Sequence, residues 1–209
     1  MKRSAKLRLV LADDHSVLRE GLALILDALP DMTVVAQAST GEEALHLCWE
    51  HEPDVLILDL QMPGEGGVNT VKRLLKKRPE AKILILTAYD IDEDIYRSMH
   101  AGASGYVLKD TPREELIGVI RTIASGQRYV GRTTGAKLAS RIGAPELTVR
   151  ELSVLECVAA GQANKEIADK LSISEGTVKS HVNSIMQKLG ALSRTDAAIT
   201  ALRKGLIKL

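Results

Sequence analysis

The sequence predicts two domains: an α/β unit built on a doubly wound parallel sheet of five strands, then a smaller all-α unit of four helices. Three observations predict this. Through residues 1–125, short apolar runs rich in Val, Ile and Leu alternate with longer stretches in which apolar residues recur three and four apart. Over residues 146–209 only the helical period remains. Between them, residues 126–145 show no sustained period and hold Gly126, Gly131, Gly135, Gly143 and Pro145, which reads as a linker.

In chain order, the expected strands are Leu7 to Ala12, Thr33 to Ala38, Val55 to Leu60, Lys82 to Thr87 and Gly105 to Lys109. Each is a near-continuous apolar run, the pattern of strands covered by helices on both faces. The stretches between them have helical period, as in Val17, Leu18, Leu22, Ile25, Leu26 and Leu29. Pro30, Pro53, Pro79 and Pro112 fall at the joints, where helices stop or start. Strands joined through helices lie parallel, with right-handed crossovers. Within the linker, a turn or two of helix is expected around Thr134 to Arg141. In the second domain Thr148 with Glu151 makes a capping box, Asn164 precedes Lys-Glu-Ile-Ala, Ser174 opens the next run, and Ser193 with Asp196 opens the last. Gly161, Gly190 and Gly205 sit where these helices should end.

Composition removes several classes. Of 209 residues 45% are hydrophobic and 26% charged, the balance of a globular chain rather than a disordered or fibrous one. No apolar run approaches the roughly 18 residues of a membrane-spanning helix, so the chain reads as cytoplasmic with no membrane partner. The basic start, Met1 to Lys6, is followed by an apolar stretch that ends at Asp13, which reads as the opening of a domain rather than a signal peptide. Cys48 and Cys157 are far apart and fit two buried thiols better than a disulfide or a zinc site. With no Phe, one Trp and four Tyr, the chain lacks the clustered aromatics of single-strand binders. Charge is uneven: residues 1–125 hold 15 Lys and Arg against 20 Asp and Glu, residues 126–209 hold 13 against 7. The acidic part suits a cation and the basic part a polyanion.

In a doubly wound sheet the ligand crevice lies at the carboxyl ends of the strands, where strand order reverses. Asp13 and Asp14 follow the first strand, Asp59 lies near the end of the third, Thr87 ends the fourth and Lys109 the fifth. Taken singly, each has an ordinary structural role, in a turn, on a surface or at a strand end. Together they surround one crevice. Three carboxylates in one place repel unless a proton is shared or a hard cation is bound, and Mg²⁺ suits an all-oxygen site with room for a phosphate oxygen. Lys109 offers a charge to that phosphate and Thr87 a hydroxyl. An Asp held by a metal beside a phosphate-binding Lys has what an aspartyl-phosphate nucleophile requires.

These residues carry a resemblance. Ala12-Asp-Asp-His15, Leu58-Asp-Leu-Gln-Met-Pro-Gly64, Leu86-Thr-Ala88 and Gly105-Tyr-Val-Leu-Lys109 resemble the flavodoxin-like receiver domain of two-component response regulators, over residues 7–125. The resemblance implies that Asp59 accepts a phosphoryl group from a sensor histidine kinase. It also implies that Asp14, Asp59 and the backbone carbonyl of Gln61 hold Mg²⁺, with Asp13 acting mainly through water. Thr87 and Tyr106 would be a switch pair, Tyr106 turning into space that Thr87 vacates. Gln61 and Tyr89 would flank the path of an attacking water, with Tyr89 as a shield. The match departs at Glu65-Gly66-Gly67, where the family often has a bulkier residue after Pro-Gly, which implies a more mobile loop.

In the second domain, Leu147-Thr-Val-Arg-Glu-Leu152, Asn164-Lys-Glu-Ile-Ala168, Ile173-Ser-Glu-Gly-Thr-Val-Lys-Ser-His-Val182 and Lys188-Leu-Gly190 resemble the four-helix helix-turn-helix of the NarL/FixJ, or LuxR-type, regulators. From Ser174 to Leu189, Val178, Val182, Ile185, Met186 and Leu189 mark an apolar face, while Lys179, Asn183 and Gln187 recur four apart on the other. Such an edge can enter the major groove, where Lys donates to guanine and Asn pairs with adenine; the bland alternative is a solvated helix face. The resemblance implies base contacts from Lys179, Ser180 and Asn183, and phosphate contacts from Asn164, Lys165, Thr177, His181, Arg194 and Thr195, with His181 equally suited to a structural role. It implies duplex DNA as a partner, a homodimer on phosphorylation, and RNA polymerase as a further candidate partner.

Two other classes compete. An aspartyl-phosphate hydrolase of the haloacid dehalogenase type places a second acid two residues after its nucleophile; here that residue is Gln61, so no enzyme is expected. An adaptor that binds proteins through its helical domain would show no preference among DNA sequences.

Overall fold

The computed structural model describes residues 6–88, 91–131, 134–136, 138–139 and 145–207, in two compact units that divide near residue 136. The first alternates β1 (Leu7–Ala12), α1 (Ser16–Asp27), β2 (Met32–Ala38), α2 (Gly41–His51), β3 (Val55–Leu58), α3 (Gly67–Lys77), β4 (Ile83–Thr87), α4 (Asp92–His100), β5 (Gly105–Leu108) and α5 (Arg113–Ala124). The expected architecture is borne out, with one addition. A sixth strand, β6 (Tyr129–Val130), pairs in parallel with β5, and the sheet runs in the order β2-β1-β3-β4-β5-β6. It lies in the stretch read as a linker. Two residues are too few to show a period, and β6 is fixed instead by tertiary bonds: Tyr129 N–H donates to the Ser104 carbonyl at 2.9 Å and its hydroxyl to Glu115 Oε1 at 2.8 Å.

The strands β1, β3 and β4 are buried almost throughout because helices cover both faces. Beneath α1 and α5, Leu9, Leu11, Leu26, Ile57, Leu84, Val107, Ile120 and Ile123 form the core. The turn into α3 requires glycine. A Cβ on Gly67 would stand 2.6 Å from Leu60 Cα and 2.7 Å from the Asp59 carbonyl oxygen, closer than any side chain is tolerated. Cys48 is buried and free, and burial pushes its thiol up to about 12; Cys157 is also buried and free.

The second unit contains α6 (Val149–Ala159), α7 (Asn164–Leu171), α8 (Glu175–Leu189) and α9 (Arg194–Arg203). Thr148 and Glu151 form the expected capping box, Ser174 accepts from Thr177 N–H, and Ser193 from Asp196 N–H. At α7 the cap is Ala163, one residue before Asn164, with the Glu166 carboxylate accepting from Ala163 N–H. Gly190 and Gly205 adopt φ of +66° and +70° past helix ends, the left-handed geometry that glycine permits. Val154, Leu155, Ile167, Val178, Ile185 and Ala201 fill the core. Residues 134–136 and 138–139 are helical, as expected there. Among the described residues no helix is long and apolar enough to cross a membrane.

Candidate functional site

Parallel pairing sets the crevice. The order β2-β1-β3 reverses direction at β1 and β3, so the chain ends of these two strands open a gap between diverging loops. Asp59 N–H donates to the Ala12 carbonyl at 2.8 Å, which puts Asp59 beside Asp13, and Asp13 N–H donates to the Ala38 carbonyl at 3.1 Å. On the other side Lys109 N–H donates to the Thr87 carbonyl at 2.8 Å, bringing β5's end level with β4's. The five residues expected at strand ends therefore meet in one place.

Lys109 is the hub. Its Nζ lies 2.7 Å from Asp13 Oδ2 and 2.7 Å from Asp59 Oδ2. Burial pulls the ammonium's pKa down, but the hydrogen bonds to Asp13 and Asp59 push it up further, and the net position is above the usual lysine value. Both carboxylates are nearly enclosed, Asp59 at 3% exposure and Asp13 at 6%, whereas the Asp14 side chain is a third exposed. Asp59 Oδ1 accepts from Gln61 N–H at 3.2 Å. Gln61 itself is exposed.

Sequence reasoning passed over His15. Its Nδ1 lies 2.9 Å from Asp14 Oδ1 and 3.2 Å from Asp13 Oδ1, and one ligand atom from each of Asp13, Asp14, His15 and Asp59 falls within 4.8 Å of the others. Donors of this number and type can hold a divalent cation. The Ala12-Asp-Asp-His15 run was the available signal, but a side chain at a loop rim has no periodicity to mark its direction.

Thr87 and Tyr106 are both buried to 1% exposure. Ile85 pairs with Tyr106 and Thr87 with Leu108, so both side chains stand on the same face of the sheet. A strand tyrosine taken alone would be expected half-buried; here the ring is fully inside. Tyr89 lies outside the described residues.

In the second unit the apolar edge of α8 is directed inward, with Val178 and Ile185 fully buried and Val182, Met186 and Leu189 packed against the same core. Lys179, Ser180, Asn183 and Gln187 are exposed, as are Thr177, Lys165 and Thr195. His181 is half-buried. Arg194 and Asn164 are brought together: Arg194 Nη1 donates to Asn164 Oδ1 at 3.1 Å, and Nη2 to the Gln162 carbonyl at 2.9 Å. Thr177 Oγ1 is 2.9 Å from Ser174 Oγ.

Below this surface lies a network the sequence did not disclose. Glu151, only 4% exposed, accepts from Ser184 Oγ at 2.6 Å, from Lys188 Nζ at 2.7 Å and from Thr148 N–H at 2.7 Å. Burial raises the carboxyl, but Lys188, Ser184 and Thr148 lower it further, to about 2. Lys188 also donates to the Glu146 carbonyl at 3.0 Å, so this cation braces α6 against α8.

Residues 9–121 match the response regulator receiver domain family, and residues 145–201 match the luxR family of bacterial regulatory proteins. The transcriptional regulatory protein YxjL of Bacillus subtilis is 41% identical, covering 97% of this chain and 98% of that protein. The oxygen regulatory protein NreC of Staphylococcus epidermidis is 40% identical over 97% of this chain and 100% of its own length. Among solved structures, the response regulator ChrA of a heme-sensing two-component system is 37% identical with a TM-score of 0.59, covering 98% of this chain and all of that one. A structure of two RcsB dimers bound to two parallel DNAs is 25% identical with a TM-score of 0.72, covering 95% and 98%. With both domains present over nearly its whole length, the chain belongs to the NarL/FixJ family of two-component response regulators, transcription regulators that join a receiver to a LuxR-type helix-turn-helix domain.

Proposed function

We propose that this regulator is cytoplasmic and takes a phosphoryl group on Asp59 from the phosphohistidine of a sensor histidine kinase. A carboxylate oxygen of Asp59 attacks phosphorus, the O–P bond forms as the N–P bond breaks, and the departing imidazole takes up a proton. The observation that carries the reading is the Lys109 ammonium seated between Asp13 and Asp59, an enclosed cation already in place for the added phosphoryl charge. Asp59 is the acceptor because it lies deepest in the crevice. Asp14, Asp59 and the Gln61 carbonyl, with Asp13 through water, are the residues that would hold Mg²⁺, and their oxygen donors suit that hard ion. The ion supplies charge neutralisation to the incoming phosphate. Thr87 reaches for a phosphoryl oxygen, and Tyr106 turns further into the space that Thr87 vacates.

The receiver extends from residue 1 through β6, which leaves a linker of about 15 residues to residue 145; residues 146–209 bind duplex DNA as part of a homodimer. Lys179, Ser180 and Asn183 meet base edges. Lys165, Thr177, half-buried His181, Thr195 and the paired Asn164 and Arg194 meet phosphates. RNA polymerase is a further partner. The direct check is labelling from a radioactive phosphodonor: the wild-type chain should gain a hydroxylamine-labile label that Asp59→Asn lacks. Full labelling of the variant would overturn the assignment.

A further inference from the structure

We propose that the groove between α1 and α5 binds a free fatty carboxylate of medium chain length, with the tail along the two helices and the head on Arg113. The groove encloses about 540 Å³, within the size range of small-molecule sites. Leu18, Leu22, Ile25 and Leu26 of α1 line it together with Leu116 and Ile117 of α5. Part of this lining is left in water, with Val17 at 85% exposure, Leu18 at 37% and Ile25 at 38%. Contiguous apolar surface left open in this way marks a place where something binds.

The groove is polar at one end only. His15 precedes α1, Lys109 follows β5, and Thr111 and Arg113 lead into α5, so all four stand at the carboxyl edge of the sheet. The rest of the lining is apolar apart from Gly21, and no Asp or Glu belongs to it. Glu115, in the first turn of α5, is engaged instead by the Tyr129 hydroxyl. Of the three basic side chains, two are already taken: His15 Nδ1 meets Asp13 and Asp14, and Lys109 Nζ meets Asp13 and Asp59. Arg113 is exposed and has no hydrogen-bond or ion-pair partner among the described residues. It is the cation available to an incoming anion, and its planar fork matches a carboxylate through two parallel hydrogen bonds. The N-termini of α1 and α5 lie at this same end, and neither is capped by a side chain, so both helix dipoles add positive potential there.

This distribution selects the occupant. One spare charge at the end of a single apolar track suits a molecule with one head and one tail. A protein helix in a groove instead spreads its anchors over several turns. Gly21 adds to the argument. It sits inside α1, where glycine weakens a helix relative to alanine, and a Cβ there would meet nothing within 4 Å. Packing within the chain does not call for glycine at this position; the missing side chain leaves depth for a tail.

The test is titration calorimetry of the full chain with decanoate, kept below its micelle-forming concentration, and with decanol, which has the same tail and no charge. Neither Asp59 nor a bound ion takes part, so the outcome is independent of phosphorylation. Decanoate should bind at a single site, and Arg113→Gln should weaken it by about tenfold or more, with part of the affinity restored in Arg113→Lys. Decanol should bind more weakly and be indifferent to Arg113→Gln. Gly21→Leu, whose new side chain enters the groove, should abolish binding of both. Methyl resonances of Leu22, Ile25 and Ile117 should shift when decanoate is added to the wild type. Absence of saturable decanoate binding, or binding that either Arg113→Gln or Gly21→Leu leaves unchanged, would sink the proposal. So would a groove filled by a second copy, seen as a concentration-dependent dimer that Gly21→Leu dissociates and decanoate does not.

Discussion

The Lys109 ammonium stands at the same 2.7 Å distance from Asp13 and from Asp59, so one half-buried cation ties the ends of β1, β3 and β5 together. The bridge has a direct consequence for signalling. In Lys109→Ala the phosphoryl group on Asp59 loses its nearest positive charge. Some Asp59 modification should persist, but phosphorylation should no longer raise DNA affinity. A phosphorylated Lys109→Ala chain that binds DNA as well as the phosphorylated wild type would show that the bridge is only structural.

Gly67 sets the position of the acceptor from behind. Its missing Cβ leaves 2.6 Å to Leu60 Cα and 2.7 Å to the Asp59 carbonyl, and backbone atoms cannot rotate aside. Gly67→Ala is expected to cost about 1–3 kcal/mol in urea denaturation. It should also slow labelling of Asp59, because the strain falls on that residue's own backbone. Gly64→Ala should not crowd Asp59, since a Cβ there meets nothing within 4 Å, although its φ of +98° still disfavours a side chain.

The Glu151 network makes the helical domain acid-sensitive. A carboxyl held at about 2, below its ordinary 4.5, contributes fully above pH 4.5, and the contribution is lost as pH falls through that window toward 2. The total at stake is about 3 kcal/mol. Denaturation midpoints for the helical domain within the full chain, compared at about pH 5 and about pH 3, should drop more for wild type than for Glu151→Gln. Equal drops would mean that the network adds nothing beyond the general loss of carboxylate pairs.

On the DNA side, two exposed lysines separate base reading from charge. Lys179→Ala should weaken the specific site by about 1–3 kcal/mol and relax the preference at one base. Lys165→Ala should weaken all duplexes alike and lower the salt dependence by about one unit of slope. Binding to specific and scrambled duplexes over a salt series distinguishes the two, and identical behaviour of the variants would contradict the division of roles.

Much of this was legible in the residues because the information was local. The strand runs ending in Asp13, Asp59, Thr87 and Lys109 needed only the period of the chain and the rule that ligands gather at strand ends. The α8 faces followed from residues three and four apart. The rest depends on pairs distant in sequence. Glu151 meets Ser184 and Lys188, 33 and 37 positions away, and nothing near Glu151 beyond its capping role announces them. The β6 strand has two residues and is specified by Ser104 and Glu115 rather than by its own composition. His15 lies beside residues that were singled out, but the direction of a loop side chain is a three-dimensional fact.

The central claim is that modification of Asp59 controls DNA binding by the helical domain. The measurement that tests it is DNA affinity of the full chain, unphosphorylated and phosphorylated, with Asp59→Asn alongside, all at one salt concentration. Coupling of about 1–3 kcal/mol corresponds to an increase of roughly 5- to 150-fold on phosphorylation, absent in Asp59→Asn. Equal affinities for the two wild-type forms, or an equal gain in Asp59→Asn, would contradict the account.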